Sequence, residues 1–365
     1  MSDSWFRNVL ATFKGQKIGA LEIYKVLLSK HAGASPTEAK QFIKEDSQDR
    51  LIRSMKYHWN QLLIPAATKV GIKTDELRQM LIGISHGTES DMLFVNCWTE
   101  FNGNRFHIKI NRSLMIFFWK MAKLWATRAN FKDVPNVGYE HTRFSLDQTA
   151  EVAHKLMKAY FDGNIVGTEV ISALSLSPNQ LQWAGKICHY VERFTLAHEI
   201  AHVFMHFMPE KLLDFPKHIN VGIGSLIKSL LTPSEYLPRS DVVKDWTVDM
   251  FIDRWGEECS ADIIALHLTG ISIEDDIDRI VAYWAIELGL ITFAMIEQYA
   301  VEYSGEDMLC LNSHPFSIVR LAELRHYTEV PPDVKEVSRA FEFDARRILV
   351  EIGIIPFMFE VNKTR

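Results

Sequence analysis

His198 and His202 are the residues whose type and spacing most clearly predict chemistry, and Glu199 directly follows the first of them. On a helix, two residues four apart project from the same face about one turn apart, so both imidazoles can bind one metal ion. Glu199 then lies close to the ion without binding it, free to take a proton from a metal-bound water. This arrangement is typical of zinc hydrolases. The alternative is a pair of hydrogen-bonded core histidines, because the neighbouring residues are apolar.

The segment that carries these residues is predicted to be one long buried helix. Ser177 and Pro178 are typical of a helix start, and residues 180–207 contain no proline and a single glycine. Apolar residues recur at helical spacing and also flank the two histidines on the other sides of the helix. His206 continues the series, but it would lie about 12 Å from His198 along the axis, too far to share one metal. We interpret His206 as a packing or supporting residue.

Glu258 and Asp262 are the acidic residues predicted to complete the site. They are four apart within residues 255–265, where small and apolar residues share their helical face. Glu258 would complete a set of two histidines and one glutamate that leaves one position for water, as in catalytic zinc sites. Asp262 would accept a hydrogen bond from a ligand histidine and orient its ring. The alternatives are a solvated acidic face at a helix start, or Glu257 as the ligand, although Glu257 lacks an aspartate four residues later.

The order of three short segments resembles the zincin metallopeptidases. Residues 197–202 are Ala-His-Glu-Ile-Ala-His, residues 258–262 are Glu-Cys-Ser-Ala-Asp, and residues 314–320 are His-Pro-Phe-Ser-Ile-Val-Arg. This order is similar to that of HtpX-type proteases, whose third ligand lies in a Glu-x-x-Ala-Asp segment followed by a His-Pro-x-x-x-x-Arg segment. A similarity of class and motif alone also relates the chain to the soluble Lit-type phage-exclusion peptidases, which cut a host protein inside the cell.

The resemblance implies a zinc metallopeptidase that hydrolyses peptide bonds of a protein or peptide substrate. It implies that Glu199 is the general base and that one Zn²⁺ ion per chain has three protein ligands, namely His198, His202 and Glu258. It also implies that His314 reaches the active site and stabilises the oxyanion. The alternative for His314 is a histidine that only precedes a helix begun by proline. Arg320 is expected to order this last segment or to face acidic groups of the site.

The surrounding elements predict an α+β fold that is mostly helical, with a small mixed sheet beside the metal-binding helix of a zincin-like core. Residues 92–101 and 105–110 flank Asn102-Gly103, which predicts a β-hairpin. An exposed strand edge beside the site can bind an extended peptide as an additional strand. We expect residues 1–88 to form a helical amino-terminal region without an assigned role, and residues 89–365 to form the metallopeptidase domain.

Composition predicts a cytoplasmic globular protein. The chain is 47% hydrophobic and 24% charged, sufficient for a substantial core, and its net charge of −6 indicates no class of partner. Four cysteines do not suggest a disulfide scaffold, and residues 1–7 lack the apolar core of a signal peptide. Residues 280–300 are the most apolar stretch, but Glu287 and Glu297 interrupt it. This stretch therefore predicts a buried core helix and no membrane span.

A run of basic residues supports a second hypothesis, a non-catalytic binding protein. Residues 105–132 contain no carboxylate and seven cationic side chains: Arg105, Lys109, Arg112, Lys120, Lys123, Arg128 and Lys132. Such a run can contact nucleic acid or an acidic protein. We expect instead a solvated face beside aromatic core positions, and no nucleic-acid partner. The sequence indicates no oligomeric state.

Overall fold

The computed structural model describes residues 47–87, 97–128, 146–165, 176–209, 247–304, 315–327 and 332–356. Their helices are α1 (Ser47–Val70), α2 (Thr74–Met80), α3 (Arg112–Arg128), α4 (Leu146–Phe161), α5 (Pro178–Phe207), α6 (Val248–Ile271), α7 (Asp276–Ser304), α8 (Ser317–Tyr327) and α9 (Pro332–Glu351). Their strands are β1 (Leu81–His86), β2 (Cys97–Asn102) and β3 (Arg105–Ile110). The predicted α+β class, mostly helical with a small mixed sheet, is confirmed for these residues.

The sheet has the strand order β1-β3-β2, with β1 parallel and β2 antiparallel to β3. Asn102 pairs with Arg105 across the turn, and Gly103 adopts the positive φ of 58° that a tight Asn-Gly turn requires. Phe106, Ile108 and the last residue of β3 are completely buried. The predicted hairpin is confirmed where it is described, whereas residues 92–96 lie outside the described part. Within that part, β2 has a neighbouring strand on one side only.

Helix α5 is the central helix of the fold and contains both predicted ligand histidines. Its start is a capping box: the Ser177 side chain accepts from the Gln180 amide, and the Gln180 side chain accepts from the Ser177 amide. Helices α1, α3, α6 and α7 pack around α5, and strand β2 lies against it. Because partners surround α5 on several sides, its apolar residues around the site are buried all round, as predicted.

Helix α7 accounts for the most apolar stretch of the sequence. Among the described residues, 276–300 form the stretch long and apolar enough to cross a membrane, but 83% of its most apolar window is buried inside the protein. The two glutamates in it have partners in the fold: Glu287 pairs with Arg325 at 2.8 Å, and Glu297 accepts hydrogen bonds from Ser317. These contacts agree with the prediction of a core helix.

The residues before position 88 contribute to the same core as those after it. Helix α1 packs on α5, where Ser54 donates a hydrogen bond of 2.5 Å to Glu192 and His58 lies 3.3 Å from the same oxygen. Strand β1, absent from the helical prediction for this region, pairs in parallel with β3. The sequence signal for such a short strand is weak, because parallel pairing depends on a partner far along the chain. The domain boundary at residue 88 stays a prediction.

Candidate metal centre

Two packed helices place the predicted site residues opposite one another. Helix α5 provides His198, Glu199 and His202, and helix α6, which packs against it, provides Glu258 and Asp262. Each helix contributes side chains four residues apart, so both present one face to the other. His198 is 7% exposed and Glu258 and Asp262 are each 1% exposed. The fold therefore removes polar groups of opposite helices from water at a single place.

Three nitrogen and oxygen atoms converge at this place. The Nε2 atoms of His198 and His202 are 3.1 Å apart, and the Glu258 Oε2 atom lies 3.3 Å from the first and 3.5 Å from the second. Ligands of a tetrahedral ion bonded at about 2.0–2.1 Å lie about 3.3 Å from one another. The triangle thus has the dimensions of three corners of a metal-centred tetrahedron. These three residues can hold a metal ion.

Hydrogen bonds at the other ring nitrogens orient both imidazoles toward the same point. The Nδ1 atom of His198 lies 2.9 Å from Asp262 Oδ1, and the Nδ1 atom of His202 lies 3.3 Å from Glu257 Oε1. A carboxylate can only accept here, so each Nδ1 carries a proton, and in the neutral ring each Nε2 then presents a lone pair. This is the tautomer that a metal-binding histidine needs, with the carboxylate partner usual for such histidines.

Two arginines hold these carboxylates. Arg320 donates to both oxygens of Asp262, at 2.6 and 2.7 Å. Of the two expectations for Arg320, this contact agrees with the one in which it faces acidic groups of the site. Arg254 donates to Glu257 Oε2 at 2.8 Å and lies 2.9 Å from Glu258 Oε1. Arg254 was not predicted as a site residue, and Glu257 was predicted only as a competing ligand. The sequence signal for Arg254 is its position three residues before Glu257 and four before Glu258, a spacing that permits contacts on one helix face.

The site has an excess of negative charge when its histidines are neutral. Among the described residues at the site, four carboxylates (Glu199, Glu257, Glu258 and Asp262) lie beside two guanidinium groups (Arg254 and Arg320), an excess of two negative charges. Negative charges close together and largely buried repel one another. One divalent cation would balance the cluster, which makes charge a second indication of fit besides the distances.

The pKa values of the two histidines reflect the same demand for positive charge. Burial lowers the pKa of His198, but the carboxylates of Asp262 and Glu258 outweigh it, so the net shift is upward. Burial likewise opposes the shift of His202, and hydrogen bonds with Glu257 and Glu258 raise its pKa to about 10. Two imidazolium rings with Nε2 atoms 3.1 Å apart would bring two N–H groups and two like charges together. A metal ion supplies the charge without that repulsion.

Strand β2 positions the glutamate between the two histidines. The Thr99 hydroxyl donates a hydrogen bond of 2.8 Å to Glu199 Oε2, and Glu199 is 3% exposed. Thr99 was not predicted as a site residue, because a contact between residues 100 positions apart leaves no local sequence pattern. Phe101, two residues further along β2, stacks on His206 with ring centroids 4.2 Å apart. His206 is therefore a packing residue, as predicted, and His314 lies outside the described residues.

The basic segment has several internal contacts. Arg128 is 3% exposed and pairs with the buried Asp344 at 2.7 Å. Lys120 donates to the backbone carbonyl of Ile165, and Lys109 lies 3.7 Å from Glu100. The described cations of this run are thus distributed between strand β3 and helix α3, and at least one of them is enclosed in the core. No observation here favours a binding surface over the site between α5 and α6.

Comparison with known proteins adds no relative. No family model matches this sequence, and no curated protein or solved structure is significantly similar to it. Support for the chemistry of the chain therefore comes from its own residues. They offer two imidazole nitrogens and one carboxylate oxygen at metal-binding distances, with the Glu199 carboxylate beside them.

Proposed function

We propose that this protein is a zinc-dependent metallopeptidase that hydrolyses peptide bonds of a protein or peptide substrate. The observation that carries the proposal is the triangle of His198 Nε2, His202 Nε2 and Glu258 Oε2, with sides of 3.1, 3.3 and 3.5 Å. Two histidines and one carboxylate with one position left for solvent are the ligands of catalytic rather than structural zinc. The resemblance to zincins of the HtpX type supports the same class, and one Zn²⁺ ion per chain is expected.

The residues around the ligands have distinct roles in the proposed mechanism. A bound zinc ion would supply Lewis acidity, which activates a water and polarises the scissile carbonyl. Glu199 takes a proton from the attacking water and later passes it to the leaving amine. Because Thr99 donates to Glu199 Oε2, we assign these proton transfers to Oε1. Asp262 holds the His198 ring in its ligand orientation. The resemblance assigns the oxyanion hydrogen bond to His314.

The position of β2 supports a peptide substrate. This strand has a neighbour on one side only within the described residues, and its Thr99 contacts Glu199. An extended peptide that adds to this edge would pass next to the proposed general base, bound by main-chain hydrogen bonds. Main-chain pairing selects for an extended conformation more than for a sequence. We propose a protein substrate that presents such a segment, as the similarity to Lit-type peptidases also suggests.

A cytoplasmic location is part of the proposal. Among the described residues, Cys97, Cys188 and Cys259 are all free and buried, as is usual where thiols remain reduced. The most apolar helix is largely enclosed by the rest of the protein. A host-protein substrate inside the cell would be consistent with both features.

Zinc analysis and cleavage assays on three variants test the proposal. Wild-type protein and Glu199→Gln should each contain about one zinc per chain, while only the wild type generates new peptide termini in a cell extract examined by proteomics. His198→Ala should lose zinc. His206→Ala is the matched control, since this histidine of the same helix stacks on Phe101 and should leave zinc content unchanged. Full peptidase activity in Glu199→Gln rejects the assigned base, and undiminished zinc in His198→Ala rejects the site.

A further inference from the structure

We propose that Arg254 is a positioning residue of this centre, which restricts Glu258 to one ligand oxygen and fixes the orientation of His202 through Glu257. The inference rests on the proposed zinc site. It concerns a different property, namely how the protein keeps the fourth coordination position available. Arg254 lies one turn before both glutamates on helix α6 and touches neither histidine in the contacts that define the site.

A single guanidinium group joins two carboxylates that have separate tasks. Its NH1 atom donates to Glu257 Oε2 at 2.8 Å, and its NH2 atom lies 2.9 Å from Glu258 Oε1. The remaining oxygen of each carboxylate faces the histidines: Glu257 Oε1 is 3.3 Å from His202 Nδ1, and Glu258 Oε2 is 3.5 Å from His202 Nε2. Arg254, Glu257, His202 and Glu258 therefore form a closed ring of contacts.

The ring determines how Glu258 can bind a metal. A carboxylate can donate one or both oxygens to an ion, and two-oxygen binding would occupy the position that hydrolysis needs for water. The Arg254 guanidinium forms an ion pair with Glu258 Oε1, which leaves Oε2 as the oxygen of the ligand triangle. The planar fork of arginine reaches two carboxylates at once, whereas the ammonium of lysine is a compact point charge without that geometry.

Each histidine has a chain of supporting groups, which we call the Arg254 arm at His202 and the Arg320 arm at His198. Arg320 binds Asp262, and Asp262 accepts from His198 Nδ1, so each histidine has a carboxylate partner and each partner has an arginine. The two arms differ in exposure: the Arg320 side chain is 16% and Asp262 1% exposed, against 34% for Arg254 and 41% for Glu257. Water competes more strongly for the Arg254 arm. The geometry of the Arg254 arm therefore depends on the rigid guanidinium group, which contacts Glu257 and Glu258 at once.

The inference is tested on metal binding by Arg254→Gln and Arg254→Lys. Zinc affinity is measured by competition with a chelator, and cobalt is substituted for zinc to read the coordination number from visible absorption. Arg254→Lys keeps the positive charge and should bind zinc about 10- to 100-fold more weakly, as when other supporting partners of ligands are removed. Arg254→Gln should lose less affinity, because removal of a positive charge favours a cation. The cobalt absorption of both variants should weaken, because the second oxygen of Glu258 joins the metal and four-coordinate cobalt absorbs most strongly. Arg78→Gln is the matched control, since Arg78 pairs with Asp75 three residues away on the surface.

The outcomes separate this inference from the proposed function. A wild type without stoichiometric zinc would contradict the function itself. If the wild type holds zinc, the positioning role alone is overturned when Arg254→Lys keeps the wild-type affinity within about threefold and has an unchanged cobalt spectrum.

Glu257→Ala and the double variant keep the question decidable if Arg254→Gln folds poorly. Residues of one linked network show non-additive effects, so Glu257→Ala combined with Arg254→Lys should weaken zinc binding by less than the product of the two single effects. Strictly multiplicative losses would show that the two residues act independently, and the ring would then have no role in metal binding.

Discussion

Replacement of Asp262 by asparagine tests whether the carboxylate between α5 and α6 serves the metal centre or only the fold. Asp262 is 1% exposed and has three short contacts: Arg320 at 2.6 and 2.7 Å, and His198 Nδ1 at 2.9 Å. Asparagine has nearly the same shape, but only one of its two terminal atoms accepts hydrogen bonds. With its oxygen at the Oδ1 position, asparagine still accepts from His198 Nδ1 and from Arg320 NH2. Its amide nitrogen then faces the Arg320 Nε donor, and the negative charge is lost.

Two losses are expected in this variant, one of folding free energy and one of zinc affinity. Loss of one partner from a buried ion pair costs about 3–5 kcal/mol of folding free energy, because the remaining charge stays buried. We expect about 3 kcal/mol for Asp262→Asn, at the lower end of that range, since the Arg320 side chain retains 16% exposure. Zinc affinity should fall by about 10- to 100-fold, because the His198 ring loses its charged acceptor.

The assay combines urea unfolding of the metal-free protein with zinc competition against a chelator. Asp344→Asn is the matched control, because Asp344 is 1% exposed and pairs with Arg128 at 2.7 Å, and both residues belong to helices that contribute no ligand. We expect similar losses of stability in the two variants and a loss of zinc affinity in Asp262→Asn alone. Equal zinc affinity in both would refute the reasoning, since Asp262 would then be a structural ion pair and nothing more.

Two further predictions concern groups that support the site from other elements. Thr99→Val removes the hydroxyl that donates to Glu199. Because a hydrogen bond to a charged group contributes about 1.5–3 kcal/mol, kcat for a cleaved peptide should fall about 10- to 100-fold while the zinc content stays unchanged. An undiminished kcat would contradict a positioning role for Thr99. Burial raises the pKa of Glu297 from 4.5 to about 7, although donors of Ser317 oppose the shift. Between these values the folded state holds a proton that the unfolded state has lost, so this group makes stability fall as pH rises, by at most about 1.4 kcal/mol per pH unit. Glu297→Gln should remove that slope. Urea unfolding of both proteins at several pH values should show that the difference in their free energies of unfolding changes between pH 4.5 and about 7. A constant difference would contradict the raised pKa.

Local spacing was enough to predict the parts of the site that lie within one helix. His198 and His202 are four residues apart, as are Glu258 and Asp262, and a helix places such pairs on one face whatever surrounds it. The same local logic predicted the start of α5 and the Asn-Gly hairpin, because helix starts and tight turns depend on a few adjacent residues.

Contacts between distant segments could not be derived from those patterns. The sequence alone could not show that Thr99 reaches Glu199, or that Arg254 divides its guanidinium between Glu257 and Glu258. Helical spacing specifies which residues share a face, but it does not specify which face of another helix lies opposite. That choice follows from how the buried apolar surfaces of the helices pack together, and packing is a property of the whole chain.

The sequence by itself thus determined the residue types that can bind a metal and their order on each helix. Only the tertiary structure decided that His198 and His202 meet Glu258 at distances of 3.3 and 3.5 Å, and that carboxylates and arginines hold both imidazoles in place. The physical reason is range: backbone geometry fixes relations over one or two turns, whereas the meeting of α5 and α6 requires burial of apolar surface contributed by many helices.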